Sequence, residues 1–220
     1  MLQKTTLQFL KNLKKNNNKP WFDDHRKEYE NAKADFNQLV TDIIAGISKF
    51  DASLASLTAK DCTFRINRDV RFSKDKSPYK SNMGASFNIG GKKIQSAGYY
   101  FHLEPGQNFV GGGLYMPMPP ILAKIRQEID YGFAEWEKIV GHKNFKNNFI
   151  KGVEGIDYLV RPPKGYDETN PAIHYLKMKS FIASKPLSDK DVTDKKLVKD
   201  ITKTFQAIKP FIDFLNRGLE

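Results

Sequence analysis

The chain has 220 residues, 40% of them hydrophobic and 16 of them Phe, which is enough apolar surface for a core held without disulfides or metal. A single cysteine, Cys62, excludes an internal disulfide and a cysteine-rich zinc site, and no stretch reaches the roughly 18 consecutive apolar residues of a spanning helix. Thirty-six Lys and Arg against 25 Asp and Glu leave a net charge of +11, which favours phosphate-bearing partners; with no apolar signal core at its start, the chain is expected in the cytoplasm, without a membrane partner.

Thr5 or Thr6 is placed to cap a first short helix with Leu7, Phe9, Leu10 and Leu13 inward, and the run Asn16-Asn17-Asn18-Lys19-Pro20 ends it. A second, long helix is expected from about Trp21 to Lys49. There Phe22, Tyr29, Phe36, Val40, Ile43 and Ile47 recur near helical period, and Asp23 and Asp24 complement the helix dipole. Between Thr63 and Phe72 the period falls to two, with Phe64, Ile66, Val70 and Phe72 on one face and Arg65, Asn67, Asp69 and Arg71 on the other, which predicts a half-buried strand. Arg68 interrupts the apolar face, through burial against a carboxylate or through a bulge. Ser77 before Pro78 predicts a short helix over 77–82.

Met83 to Ile89, Lys93 to Glu104 and Asn108 to Met116 read as successive strands of an antiparallel meander, with the middle one central because both of its faces are largely apolar. Gly111-Gly112-Gly113 lacks the lysine–hydroxyl ending of a phosphate loop and reads as a close backbone approach or a bulge. Pro119 and Pro120 open a helix with Ile121, Leu122, Ile125 and Ile129 on one stripe. Phe133 to Val140 forms another, and a Gly/Asn/Lys-rich stretch through Gly155 follows. Tyr158 to Arg161 and Met178 to Ala183 read as short strands, and a long amphipathic helix runs from Ser188 with a kink at Pro210. Its Lys195, Lys196, Lys199 and Lys203 form a solvated face. Helices first, strands in the middle and helices last predict one α+β domain over residues 1–220. Its central, mainly antiparallel sheet is flanked by long amphipathic N- and C-terminal helices.

Chemistry concentrates between Lys60 and Lys80, where seven basic residues stand against three acids. The chain has only seven Arg, and three of them are Arg65, Arg68 and Arg71. A guanidinium fork holds carboxylate or phosphate bidentately, which a lysine point charge does not, so local use of Arg in a Lys-rich chain points to geometry: an anion site, or internal ion pairs.

The segment Arg65 to Lys80 resembles, at Arg65, Arg68, Asp69, Arg71, Phe72, Asp75, Lys76 and Tyr79, the recurring motif of a family of uncharacterised bacterial proteins classed as a domain of unknown function. Asn17 to Arg26 and Gly111 to Tyr115 are similar to other recurring segments of that family, and the resemblance covers essentially the whole chain. It implies a family and a chain length but no established activity.

Three readings follow. In the first, Arg65, Arg68, Arg71, Lys76 and Lys80 form an arginine-lined pocket for a phosphate- or carboxylate-bearing small molecule, Asp69 satisfying one arginine and leaving another fork free. Its enzymatic version takes His25, Asp69 and Tyr79 as catalytic candidates, with Asp69 or His25 as general base and the cations stabilising developing negative charge. In the second, the chain is a non-catalytic nucleic-acid-binding module, with Trp21 and Phe22 or Tyr99 to Phe101 as stacking surfaces. In the third, the motif is a buried ion-pair network and function lies in protein contacts. His25, His102, His142 and His174 lack metal-ligand spacing, so no metal is expected, and no cofactor is implied. Cys62 reads as a small buried hydrophobe.

Overall fold

The computed structural model describes the whole chain, Met1–Glu220. Helix α1 (Lys4–Lys15) starts behind Gln3, whose side chain forms no cap. The expected cap residue Thr6 is buried instead, and its hydroxyl donates to the Asp35 carboxylate at 2.5 Å. The single helix expected over Trp21 to Lys49 is two, α2 (Lys19–Asp24) and α3 (Arg26–Ile47), separated at His25. The break has a local cause. Asn18 caps α2 by accepting from the Trp21 N–H at 3.0 Å, and His25 Nδ1 takes the Trp21 carbonyl at 2.8 Å.

A short 3₁₀ turn (Ala52–Leu54) and α4 (Ala59–Cys62) follow, the latter headed by Thr58, whose N–H and hydroxyl donate to the Asp61 carboxylate. Four strands, β1 (Met83–Phe87), β2 (Gly98–Leu103), β3 (Asn108–Leu114) and β4 (Phe181–Leu187), form one antiparallel sheet in the order β1-β2-β3-β4. β2 is interior, as its pattern predicts, with Tyr99, Phe101 and Leu103 buried on one face. Between β3 and β4 come α5 (Pro119–Tyr131), α6 (Phe133–Gly141), α7 (Lys143–Asn148) and α8 (Ile173–Leu176); after β4 come α9 (Asp189–Val192) and α10 (Leu197–Arg217). The fold class is α+β, with helices at both ends of the chain and no helix long and apolar enough to cross a membrane.

Several local expectations change. Tyr158–Arg161 is no strand: Tyr158 forms one isolated bridge to Met178, and β4 starts later, at Phe181. The stretch after Gly141 contains α7, capped by His142 Nδ1 accepting from the Asn144 N–H. The terminal helix is divided because the Asp194 carboxylate accepts the Lys196 N–H at 2.7 Å, a side-chain turn that competes with helix.

Met1–Lys92, Tyr100–Val110 and Pro186–Lys203 form one compact unit; Lys93–Tyr99, Gly111–Lys185 and Thr204–Glu220 form a second. In the first, α1 packs on α3 through fully buried Leu10, Leu13, Val40 and Ile43. In the second, Trp136 is fully buried against Phe181, Phe211 and Phe214, with ring centroids 5.2 to 6.2 Å apart. A Cβ at Gly111 would lie 2.1 Å from the Ala183 carbonyl oxygen and one at Gly113 2.0 Å from that of Phe181, so the glycine run is the close approach its sequence suggests.

Candidate anion-binding site

Residues 63–82 lie wholly in the first unit and are neither the strand nor the helix that their spacing predicts. The chain runs out and back: the Arg68 N–H donates to the Pro78 carbonyl at 2.9 Å, the Lys80 N–H to that of Ile66 at 2.8 Å, and Asn67 and Tyr79 form a single bridge. Of the four apolar residues expected on the inner face, only Ile66 is buried; Phe64 is 42% and Phe72 96% exposed. Side chains take the backbone partners a strand would need. The Asp75 carboxylate accepts from the Ser77 N–H and hydroxyl, Lys76 Nζ donates to the Val70 carbonyl, and Arg68 donates to that of Ser77. At the return arm the Asn17 side-chain amide accepts from the Tyr79 N–H at 3.0 Å and donates to the Tyr79 carbonyl at 2.9 Å, holding residue 79 extended where a helical turn was expected.

The three arginines part company. Arg68 pairs with Asp75, and Arg71 grips Asp69 through two bonds of 2.9 and 2.7 Å. Neither pair is buried: Arg68 is half-buried, and Asp75, Asp69 and Arg71 are exposed. The Asp75 carboxyl is pulled down to about 2, first by the Ser77 hydroxyl, then by the Ser77 N–H, then by Arg68. The Asp69 carboxyl is lowered mainly by its bond to Arg71. Arg65 has neither an ion pair nor a hydrogen-bond partner for its guanidinium. Beside it the Lys80 ammonium lies 5.6 Å over the Phe64 ring without a carboxylate, and its pKa is lowered by burial and then by Arg65.

Arg65 opens onto a cavity of about 530 Å³. Helix α3 supplies Tyr29, Lys33, Phe36 and Asn37, which share one helical face; α4 supplies Lys60; the outgoing arm supplies Thr63, Phe64, Arg65 and Ile66; Asn82, Met83 and Lys92 complete the wall. Four basic side chains line it and no acidic one does. Lys92 donates to the Lys60 carbonyl and Lys33 reaches Glu30 at 3.3 Å outside the lining, so neither is held by a carboxylate within the cavity.

The remaining sequence candidates lie elsewhere. Arg68, Arg71, Lys76 and Lys80 do not line the cavity, although the Lys80 ammonium lies over the ring of Phe64, which does. The proposed acid–base groups are not gathered: His25 stacks on Trp21 at 4.0 Å, Tyr79 is buried and stacks on Phe22 at 4.0 Å, and Asp69 is held by Arg71. Phe22, one of the suggested stacking residues, is core. Cys62 is fully buried, and burial pushes its thiol up to about 12. Sequence reading missed Lys33, Lys60 and Lys92. The spacing of Tyr29, Lys33, Phe36 and Asn37 along one helix is a legible trace of the site, but Lys60 and Lys92 join it only through the fold.

Residues 5–214 match the family described as conserved hypothetical protein (DUF2461). No curated protein and no solved structure matches the chain.

Proposed function

For a chain that belongs to this conserved hypothetical protein family, we propose binding of a phosphate- or carboxylate-bearing ligand in the Arg65 cavity. The observation that carries the reading is an arginine with no ion pair and no hydrogen bond in the wall of a cavity that has four basic and no acidic residues. Crowded cations repel one another, and the carboxylates near these four lie outside the wall: Glu30 pairs with Lys33, Asp61 acts on Lys60 and Lys92, and Asp69 on Arg65. A bound anion supplies the missing partner, and Arg65 is the fork that fixes it bidentately. The role is one of binding. Asp69, His25 and Tyr79 lie outside the cavity wall and are given no part in it. One cysteine and the basic surface fit the cytoplasm, which is the compartment we propose.

Arg65→Ala and Arg71→Ala separate this reading from one that uses the whole motif. In calorimetric titrations with phosphate- and carboxylate-bearing ligands, Arg65→Ala is expected to weaken binding about tenfold to a hundredfold, and Arg71→Ala to leave it unchanged. Equal losses in both variants would return the site to the loop and end the cavity reading.

One observation favours a second reading, nucleic-acid binding. Phe72 stands 96% exposed at the loop, with the Arg71 guanidinium 5.8 Å over its ring. An exposed ring beside cations stacks an unpaired base and meets its phosphate. A salt titration of labelled single-stranded nucleic acid tests it: binding that falls steeply with log salt and is lost in Phe72→Ala supports this reading, and no binding at low salt ends it.

A further inference from the structure

The cavity wall says more about its ligand than that it is anionic. Lys33, Lys60, Arg65 and Lys92 line one space; Lys33 pairs with Glu30, which leaves three of these cations without an ion pair, and a single carboxylate would offset only one of them. Each phosphate brings about one to two negative charges, so the count calls for a ligand with more than one anionic group. The rest of the lining is not built for inorganic phosphate. Tyr29 and Phe64 present aromatic surface, which suits a flat, weakly solvated body. Asn37 and Asn82 each offer an amide with both donors and an acceptor, the pattern needed to meet a ring edge that itself mixes the two. The volume, about 530 Å³, lies within the range of roughly 300 to 1,000 Å³ in which small-molecule sites fall and exceeds what a bare anion needs.

Polyanionic head, flat aromatic body and mixed polar edge describe one common class of metabolite. Resting on the anion-binding reading above, we propose that the ligand is a nucleoside phosphate, its phosphates on Arg65 and the neighbouring lysines and its base against Phe64 and Tyr29. The direction of the ligand follows from the wall: Arg65 and Phe64 are adjacent in sequence on the outgoing arm, so head and body are read by one short segment, while α3 supplies Tyr29. Phe64 is the residue expected to separate nucleotides from other polyanions. It is 42% exposed, so changing it removes stacking surface without opening the core.

Calorimetric titration of the full chain with a nucleoside triphosphate, the matching monophosphate, the free nucleoside, tripolyphosphate and an aromatic carboxylate tests the proposal, with wild type and Phe64→Leu side by side. One of the nucleotides is expected to bind at least about tenfold more tightly than tripolyphosphate and than the nucleoside, and Phe64→Leu to remove that advantage while leaving tripolyphosphate binding unchanged. Tripolyphosphate binding as tightly as the nucleotides, or a Phe64→Leu variant that keeps the full preference, overturns the nucleotide assignment and leaves the anion site standing. An aromatic carboxylate that binds where no nucleotide does has the same meaning. Absence of binding by every anion, with the wild type folded by circular dichroism, retires the anion reading together with this one.

Discussion

Two stretches of this chain break the surrounding composition, the glycine run 111–113 and the arginine motif 65–71, and they end differently. At Gly113 the backbone has φ 125°, and a Cβ would come within 2.0 Å of a carbonyl oxygen of β4; Gly111 and Gly112 meet backbone atoms at 2.1 and 2.6 Å. Each missing side chain is accounted for by what occupies its place. In the motif, Arg68 and Arg71 are likewise accounted for by Asp75 and Asp69, but Arg65 is not. A run of unusual residues whose every member has a structural partner needs no ligand to explain it, whereas one that leaves a charged group over beside a cavity does.

The glycine side of the comparison carries the largest expected effect. Gly113→Ala must move either β3 or β4 and adopt a left-handed backbone, and a loss of about 3 kcal/mol or more in urea unfolding is expected. A mild change would mean that the seam tolerates a side chain and that the glycines need another explanation. Next comes Arg65→Ala, for which the binding loss is expected with stability unchanged or slightly raised, because the variant relieves the repulsion on Lys80. The same substitution should raise the Lys80 pKa, seen as slower acylation of that amine at a fixed pH; faster or unaltered acylation would show that the two cations do not sense each other.

Cys62 belongs with the glycines as a residue already accounted for by packing. Its folded pKa of about 12 lies above the ordinary thiol value of about 8.5, so between those values the unfolded chain loses the proton first and the folded state binds more protons. Stability therefore falls as pH rises through that window. In thermal unfolding from pH 8 to 11, wild type is expected to lose Tm more steeply than Cys62→Ala, and parallel curves would count against a buried, neutral thiol.

The elements that could be read in advance are those set by periodic burial, α5, β1 to β3 and the stripe Leu197, Ile201, Phe205, Ile208, Ile212 and Leu215 on α10, together with α6, which buries Trp136 alone. Those misread were set by single polar side chains. His25 ends a helix by taking one carbonyl, Asp194 divides another by taking one N–H, and Asn17 holds Tyr79 from 62 residues away. Alternation from Phe64 to Phe72 imitates a strand because the local Asp69 and Asp75 turns are invisible to hydropathy. The candidate site was half visible for the same reason. Composition singled out Arg65, Arg68 and Arg71 together, but which of the three keeps a free fork depends on carboxylate geometry, and Lys60 and Lys92 join Lys33 only after α3, α4 and β1 have packed.

The smallest expected effect concerns how the paired end of the motif is held, and it separates a local turn from an ion pair. The Asp75 carboxyl at about 2 lies below the unfolded value of about 3.9, so its contribution to stability is present in full above that unfolded value and is lost as pH falls through the folded one. The Ser77 hydroxyl and N–H act on it more strongly than Arg68 does, although the Arg68 pair is the more conspicuous contact. Followed by carboxyl NMR, the Asp75 titration is expected to move up further in Ser77→Ala than in Arg68→Ala. With the order reversed, Arg68 would be the main anchor of the loop, and its loss should then also loosen the arm that carries Arg65. With the expected order, Arg68→Ala leaves ligand affinity at the Arg65 cavity unchanged, because the bonds between Asp75 and Ser77, the Lys76 bond to Val70 and the backbone bonds of the two arms remain and the cavity wall does not contain Arg68.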